Sequence, residues 1–281
     1  MIGKTRHVED PMAEPLSSPS HAFEQGCGAL RHSPPPGYYR HTRHAPPDEL
    51  SHWVEHFWLE AWQFRDGASQ TREVLPYPSV HLVFAPGRSR IYGVQLGRFV
   101  RNLKDHGRIL GIKFRPGAFY PFLRKPVCSI ANSSILATQV FSNARDTERA
   151  VLGCRDDQGM VETAARFLAA NLPPRDPNVD TARNAVEVVA ADRNVTRVQH
   201  LVARLGVTER TLQRLFRRYV GASPRWVIKR YRVYEALVQL TEGRPMELAS
   251  LAQNLGYFDQ SHFTNDFKKL VGRAPTEYAD P

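Results

Sequence analysis

The stretch Leu201-Val-Ala-Arg-Leu-Gly-Val-Thr-Glu-Arg-Thr-Leu-Gln-Arg-Leu-Phe216 decides how the C-terminal third of this chain folds, because its opening returns fifty residues later as Leu251-Ala-Gln-Asn-Leu-Gly256. With one inserted residue, Phe216, Val220, Gly221 and Pro224 come back as Phe267, Val271, Gly272 and Pro275, while Leu212 corresponds to Phe263. A spacing kept over so many apolar and glycine positions marks two copies of one structural unit with one core pattern.

Each copy reads as helix, tight turn, helix. Gly206 and Gly256 end the first helices, since glycine enters the left-handed conformation of a C-cap without a side-chain penalty. Thr208 and Asp259 are expected to cap the second helices. Leu212, Leu215, Phe216 and Tyr219 form the apolar stripe of one, and Phe263, Phe267 and Leu270 that of the other. Arg210, Gln213, Arg214 and Arg217 are left on the outer face of the first. Gln260, Ser261, His262, Asn265 and Lys268 are left on that of the second. Two helices joined by a glycine turn make a helix-turn-helix, whose second helix fits the major groove. The forks of Arg, Gln and Asn match guanine and adenine edges. Between the copies, Ser223 to Leu240 reads as one continuous helix. Trp226, Ile228, Tyr231, Val233, Leu237 and Leu240 equip it to pack against both, and to hold the recognition helices about one DNA turn apart, roughly 34 Å.

Charge agrees with a polyanionic partner. The 281 residues carry a formal net charge of +10, with 31 Arg against 7 Lys. Between Arg204 and Arg232 there are nine basic residues and one acid, Glu209. A solvated helix face would intersperse acids at i and i+4; this one attracts phosphates.

Residues 179 to 278 resemble the DNA-binding domain of the AraC/XylS family of bacterial transcription regulators. The resemblance rests on Leu212-Gln-Arg-Leu-Phe216 with Gly221-Ala-Ser-Pro224. It rests also on Leu255-Gly-Tyr-Phe-Asp-Gln-Ser-His-Phe-Thr-Asn-Asp-Phe-Lys268 with Gly272-Arg-Ala-Pro275. It implies base reading by Arg210, Gln213 and Arg214, then by Gln260, Ser261, His262 and Asn265. Asn265 departs from the arginine that relatives commonly carry there, and Tyr278-Ala279 departs where arginine often follows the tyrosine.

Working outward, Leu172-Pro-Pro-Arg-Asp-Pro-Asn178 places three prolines in seven residues and predicts a linker over 173–178, with the helical domain over 179–281. Upstream, short runs rich in β-branched and aromatic residues predict strands at 53–62, 79–85, 90–94, 98–101 and 108–114, punctuated by Pro86-Gly87 and Pro116-Gly117. Ala118 to Leu123 is expected to form a short helical closure. Val161, Ala164, Ala165, Leu168 and Leu172 predict a helix after the strands. Residues 48–172 are therefore expected to form a β-rich sensor or dimerisation domain with C-terminal helices. Residues 1–47, with eight prolines, are expected to be a disordered tail. Gly111-Ile-Lys-Phe-Arg-Pro-Gly117 resembles a sensor domain that precedes AraC-type DNA-binding domains, which implies a cupin-like barrel with flanking helices. The expected fold class is α+β: that barrel, then an all-α domain with two helix-turn-helix motifs joined by a long helix.

No ordinary signal peptide or spanning segment is visible, and three widely spaced cysteines (Cys27, Cys128 and Cys154) argue for a reducing cytoplasm. No HExxH or Cys–His cluster suggests a metal, and no cofactor is expected. The alternative is an enzyme, or a DNA-repair protein whose helical domain only positions a catalytic N-terminal half. It needs an activated nucleophile, and Pro126-Val-Cys-Ser-Ile130 lacks the proline-cysteine-histidine setting of the repair methyltransferases joined to such domains. His56, Trp58 and His81 are pocket candidates, combining apolar walls with polar tips. Expected partners are double-stranded DNA, a small-molecule effector, a second copy of the chain and, for an activator, RNA polymerase, with no membrane.

Overall fold

The computed structural model describes residues 37–65, 67–242 and 247–279. The expected disordered tail, over residues 1–36, lies outside the described residues. Its last part is corrected: Gly37–His44 is strand β1, paired along its length with β2 (Val54–Phe64). The proline run ends at Pro36 and the next proline is Pro46, so Tyr38-Tyr-Arg-His-Thr-Arg-His44 between them is free to add an edge strand.

The other strands are β3 (Ser69–Val74), β4 (His81–Phe84), β5 (Arg90–Tyr92), β6 (Phe99–Lys104), β7 (His106–Phe114) and β8 (Ser134–Leu136). Six of them form an antiparallel sheet in the order β1-β2-β7-β4-β5-β8, and β3 pairs only with β6. The cupin-like barrel is corrected to this open sheet and separate two-stranded ribbon: among the described residues no ladder joins β1 to β8. The ribbon lies over one face of the sheet. Arg101 of β6 pairs with Glu60 of β2 at 3.1 Å, and Trp62 donates its indole N–H to the Lys104 carbonyl at 2.9 Å. Helices α1 (Tyr120–Leu123), α2 (Ala144–Leu152) and α3 (Asp157–Ala169) follow. Phe167 of α3 meets Phe84 and Phe141 edge-on, so the opposite face of the sheet is covered by helix.

Strict alternation along β2 would set Val54 beside His56 and Trp58, opposite Phe57 and Leu59. The register with β7 slips between Val54 and His56, and this bulge turns Val54 to the core with Phe57 and Leu59. His56, Trp58 and Glu60 are left facing the ribbon side.

The C-terminal helices are α4 (Pro177–Ala191), α5 (Val198–Leu205), α6 (Glu209–Leu215), α7 (Pro224–Thr241), α8 (Leu248–Asn254), α9 (Gln260–Val271) and α10 (Thr276–Ala279). A π-type turn over Phe216–Val220 carries α6 to Gly221. The residues expected to be linker are anchored. Asp176 caps α4 through the Asn178 amide at 2.9 Å and accepts the Tyr219 hydroxyl at 2.7 Å. One continuous core then runs from Leu50 through the first helix-turn-helix to Tyr231. A second, built on Phe263 and Phe267, takes Val233, Leu237 and Leu240 from α7. The strut α7 therefore serves both cores.

Candidate nucleic-acid interface

The second helix of the first unit, α6, is started by the Thr208 hydroxyl accepting from the Thr211 amide at 3.2 Å. Gly206, at φ 64°, ends the helix before it. Leu212 and Phe216 are fully buried, which fixes the rotation of the helix and leaves Arg210, Gln213, Arg214 and Arg217 exposed. Gln213 is held by its own helix, donating to Glu209 Oε1 at 2.9 Å. Arg217 lies one step further on, in the π-type turn.

In the second copy, Asp259 accepts from the His262 amide at 2.7 Å and starts α9. Burial of Phe263, Phe267 and Leu270 leaves Gln260, Ser261, His262, Asn265 and Lys268 exposed. Gly256 is required for two reasons: its φ is 82°, and a Cβ there would lie 2.5 Å from Thr196 Cβ. The turn of the second copy thus abuts the entry to α5 of the first, fixing one unit against the other.

Between the two units lies a cleft of ≈ 430 Å³ that the sequence reading missed. Its walls include Arg197 before α5, Arg225 and Lys229 on α7, and Phe258 and His262 of the second copy. Arg225 and Lys229 stand four apart, on one side of a helix. That spacing was visible in the sequence, but the strut was read only for its apolar residues. Lys229 pairs with Asp266 of α9, while Arg197 and Arg225 are exposed.

Both halves of the chain are similar to known proteins. Residues 201–280 match the family model described as a helix-turn-helix domain, and residues 42–136 match one described as a domain of unknown function. The arabinose operon regulatory protein of Escherichia coli is 29% identical over 106 residues, covering 38% of this chain. The C-terminal helices are thus similar to a helix-turn-helix domain and to part of an AraC-type regulator. The match covers 36% of that regulator's own length. Among solved structures, a probable AraC family transcriptional regulator from Rhodopseudomonas palustris is 27% identical, covering 36% of this chain and 94% of its own, with a TM-score of 0.32. ToxT from Vibrio cholerae, bound to a naphthalenyl butenoic acid, is 13% identical, covering 86% and 97%, with a TM-score of 0.37.

The C-terminal helices are tied to a polar cluster on the ribbon side of the sheet. His56, Lys113 and His81 stand in register across β2, β7 and β4. Trp58 donates its indole N–H to His81 Nδ1 at 3.2 Å; the indole is only a donor, so His81 is neutral and carries its proton on Nε2. The indole lies over Gly111, where any Cβ would stand 2.0 Å from Trp58 Cε2. Burial, then the Lys113 ammonium, pushes both histidines down to about 3. All three pocket candidates are therefore brought together. Lys113, Glu55 and Tyr77 complete the group unforeseen: Lys113 pairs with Glu55 at 2.7 Å and sits 3.6 Å from the centre of the Tyr77 ring.

Proposed function

We propose that this protein is a transcription regulator that reads specific double-stranded DNA through α6 and α9, acting in the cytoplasm. The observation that carries the reading is the pair of capped helices on one strut, each burying its aromatic stripe and exposing a polar face. Arg210, Gln213, Arg214 and Arg217 would contact one half-site, and Gln260, Ser261, His262, Asn265 and Lys268 the next. Bidentate forks on guanine and adenine supply the discrimination, and the basic surface supplies salt-dependent affinity.

The N-terminal domain, in this reading, sets how the reader is presented. Three contacts support it. Arg230 of the strut donates to the Pro76 carbonyl at 2.9 Å, Tyr231 to the Tyr77 hydroxyl at 3.1 Å, and Trp226 to the Leu96 carbonyl at 2.8 Å. A small effector contacting His56, Trp58 or His81 would act beside Tyr77, and so on the strut, provided it binds two arrangements unequally. A second copy of the chain, or RNA polymerase at an activated promoter, would act through the same coupling. For an enzyme, a nucleophile needs a neighbouring base. Cys154 Sγ instead donates to the Ala150 carbonyl at 3.3 Å.

Selection of random duplexes on the full chain tests the proposal. Enrichment of two short elements spaced by about one helical turn is expected. Recovery of unrelated sequences, bound with the same salt dependence, would refute sequence reading.

A further inference from the structure

Phe258 is 92% exposed; among the described residues the next most exposed large hydrophobic is Tyr38, at 53%. Its place in the chain makes this unusual. Phe258 directly precedes the Asp259 cap of α9, where an apolar side chain ordinarily folds back onto the fourth residue of the helix. That fourth residue, Phe263, is fully buried and is met instead by Tyr257, with ring centroids 5.4 Å apart. The stapling position is filled by Tyr257, and Phe258 has no packing role left. It stands on the rim of the cleft between the two recognition units, beside exposed Arg197, Arg225 and His262.

From this geometry we infer that Phe258 is a specificity-determining residue that contacts a thymine methyl group in the second half-site. The inference rests on the reading of α9 as a recognition helix. Residues at the start of such a helix meet base edges, and the only apolar group that a base pair presents in the major groove is the thymine C5 methyl. The cationic rim brings the phosphates of the same segment to the cleft, so the polyanion and the aromatic share one approach. A phenyl ring left in water gains on binding what its polar neighbours do not, the removal of apolar surface from solvent.

The test uses the full chain and a duplex enriched from random sequence by the wild-type protein. Each thymine of the second half-site is replaced in turn by deoxyuridine, which deletes only the methyl. Wild type is expected to lose about fourfold in affinity at one position, the worth of one buried methyl. Phe258→Ala is expected to lose a similar factor on the unsubstituted duplex and to be indifferent to that deoxyuridine. Phe258→Leu should restore sensitivity. With an exposed side chain, all variants should melt as wild type does. If Phe258→Ala binds both duplexes as wild type does, the inference is wrong. Unchanged DNA affinity with reduced transcription by added RNA polymerase would also overturn it, and would assign the ring to the polymerase. If Arg214→Ala loses the enriched site while Phe258→Ala does not, only this inference fails. If wild type enriches no site, the reading of α9 fails with it.

Discussion

The guanidinium of Arg230, on the strut between the two recognition units, lies 4.4 Å from the centre of the Tyr77 ring in the β-rich domain. Arg230 is 3% exposed, its Nε donates to the Pro76 carbonyl, and Tyr77 also carries the Lys113 ammonium. One aromatic ring thus joins the histidine cluster of the sheet to the helix that spaces the two helix-turn-helix units. A desolvated cation–π contact is worth about 2 kcal/mol, and a buried carbonyl left without its donor costs about 1–3. Arg230→Ala should therefore lower unfolding free energy by roughly 3–5 kcal/mol. It should also alter DNA affinity, although Arg230 is buried. Urea titration of the full chain checks the first, and a loss below about 1 kcal/mol would show that the latch does not hold the domains together.

Arg214 is exposed on α6, four residues after Arg210. If it forks onto a base, Arg214→Ala should cost about 1–3 kcal/mol on the selected duplex and much less on a scrambled one. The logarithm of the binding constant should fall with the logarithm of salt by about 0.9 per phosphate neutralised. Equal losses on both duplexes would reduce Arg214 to a phosphate contact.

The two helix-turn-helix units were legible in the sequence because their rules are local. Thr208 and Asp259 cap, Gly206 and Gly256 turn, and the aromatic stripes return at fixed spacing, so helices and their exposed faces follow from residues a few positions apart. The β-rich half obeys longer-range rules. Lys113 looked like one polar residue in an apolar strand until register set it between His56 and His81. Glu55 became the partner of Lys113 across the bulge that also moved Val54 to the core, and a bulge has no signature in alternation. Strand β1 follows three prolines and was lost to their company. Asp176, in a segment read as linker, is a cap and a Tyr219 acceptor because two domains meet there.

His56 and His81 predict an acid-labile fold. Their native values are lowered to about 3 by burial, so the unfolded chain takes these protons first. Stability they do not cost above pH 6.5 is lost as pH falls from 6.5 toward 3, by about 1.4 kcal/mol per histidine for each unit. His52, also lowered by burial, acts in the same direction. His81→Asn keeps an acceptor for the Trp58 indole without a titrating ring. Urea midpoints at pH 7.0 and about 5.5 should then differ less than in wild type. An equal drop in both proteins would remove His81 from the account.

Trp226 is among the residues that the sequence gives the strut for packing against both helix-turn-helix units, which implies a fully buried indole. It is half-buried instead, and its indole N–H crosses to the Leu96 carbonyl of the other domain. The correction changes what substitution should do. Trp226→Phe keeps the ring against both cores and deletes one hydrogen bond, so it should cost about 0.5–1.5 kcal/mol and leave α6 and α9 in place. DNA affinity should then survive. Trp226→Ala removes the apolar surface as well and should approach the roughly 3–5 kcal/mol of a truncated core aromatic, taking DNA binding down with the fold. Unfolding curves of the two variants beside wild type separate the contributions. A phenylalanine variant as stable as wild type would mean that the Leu96 contact is exchanged for water at no cost. An alanine variant with native stability and no DNA binding would instead make Trp226 part of the DNA surface.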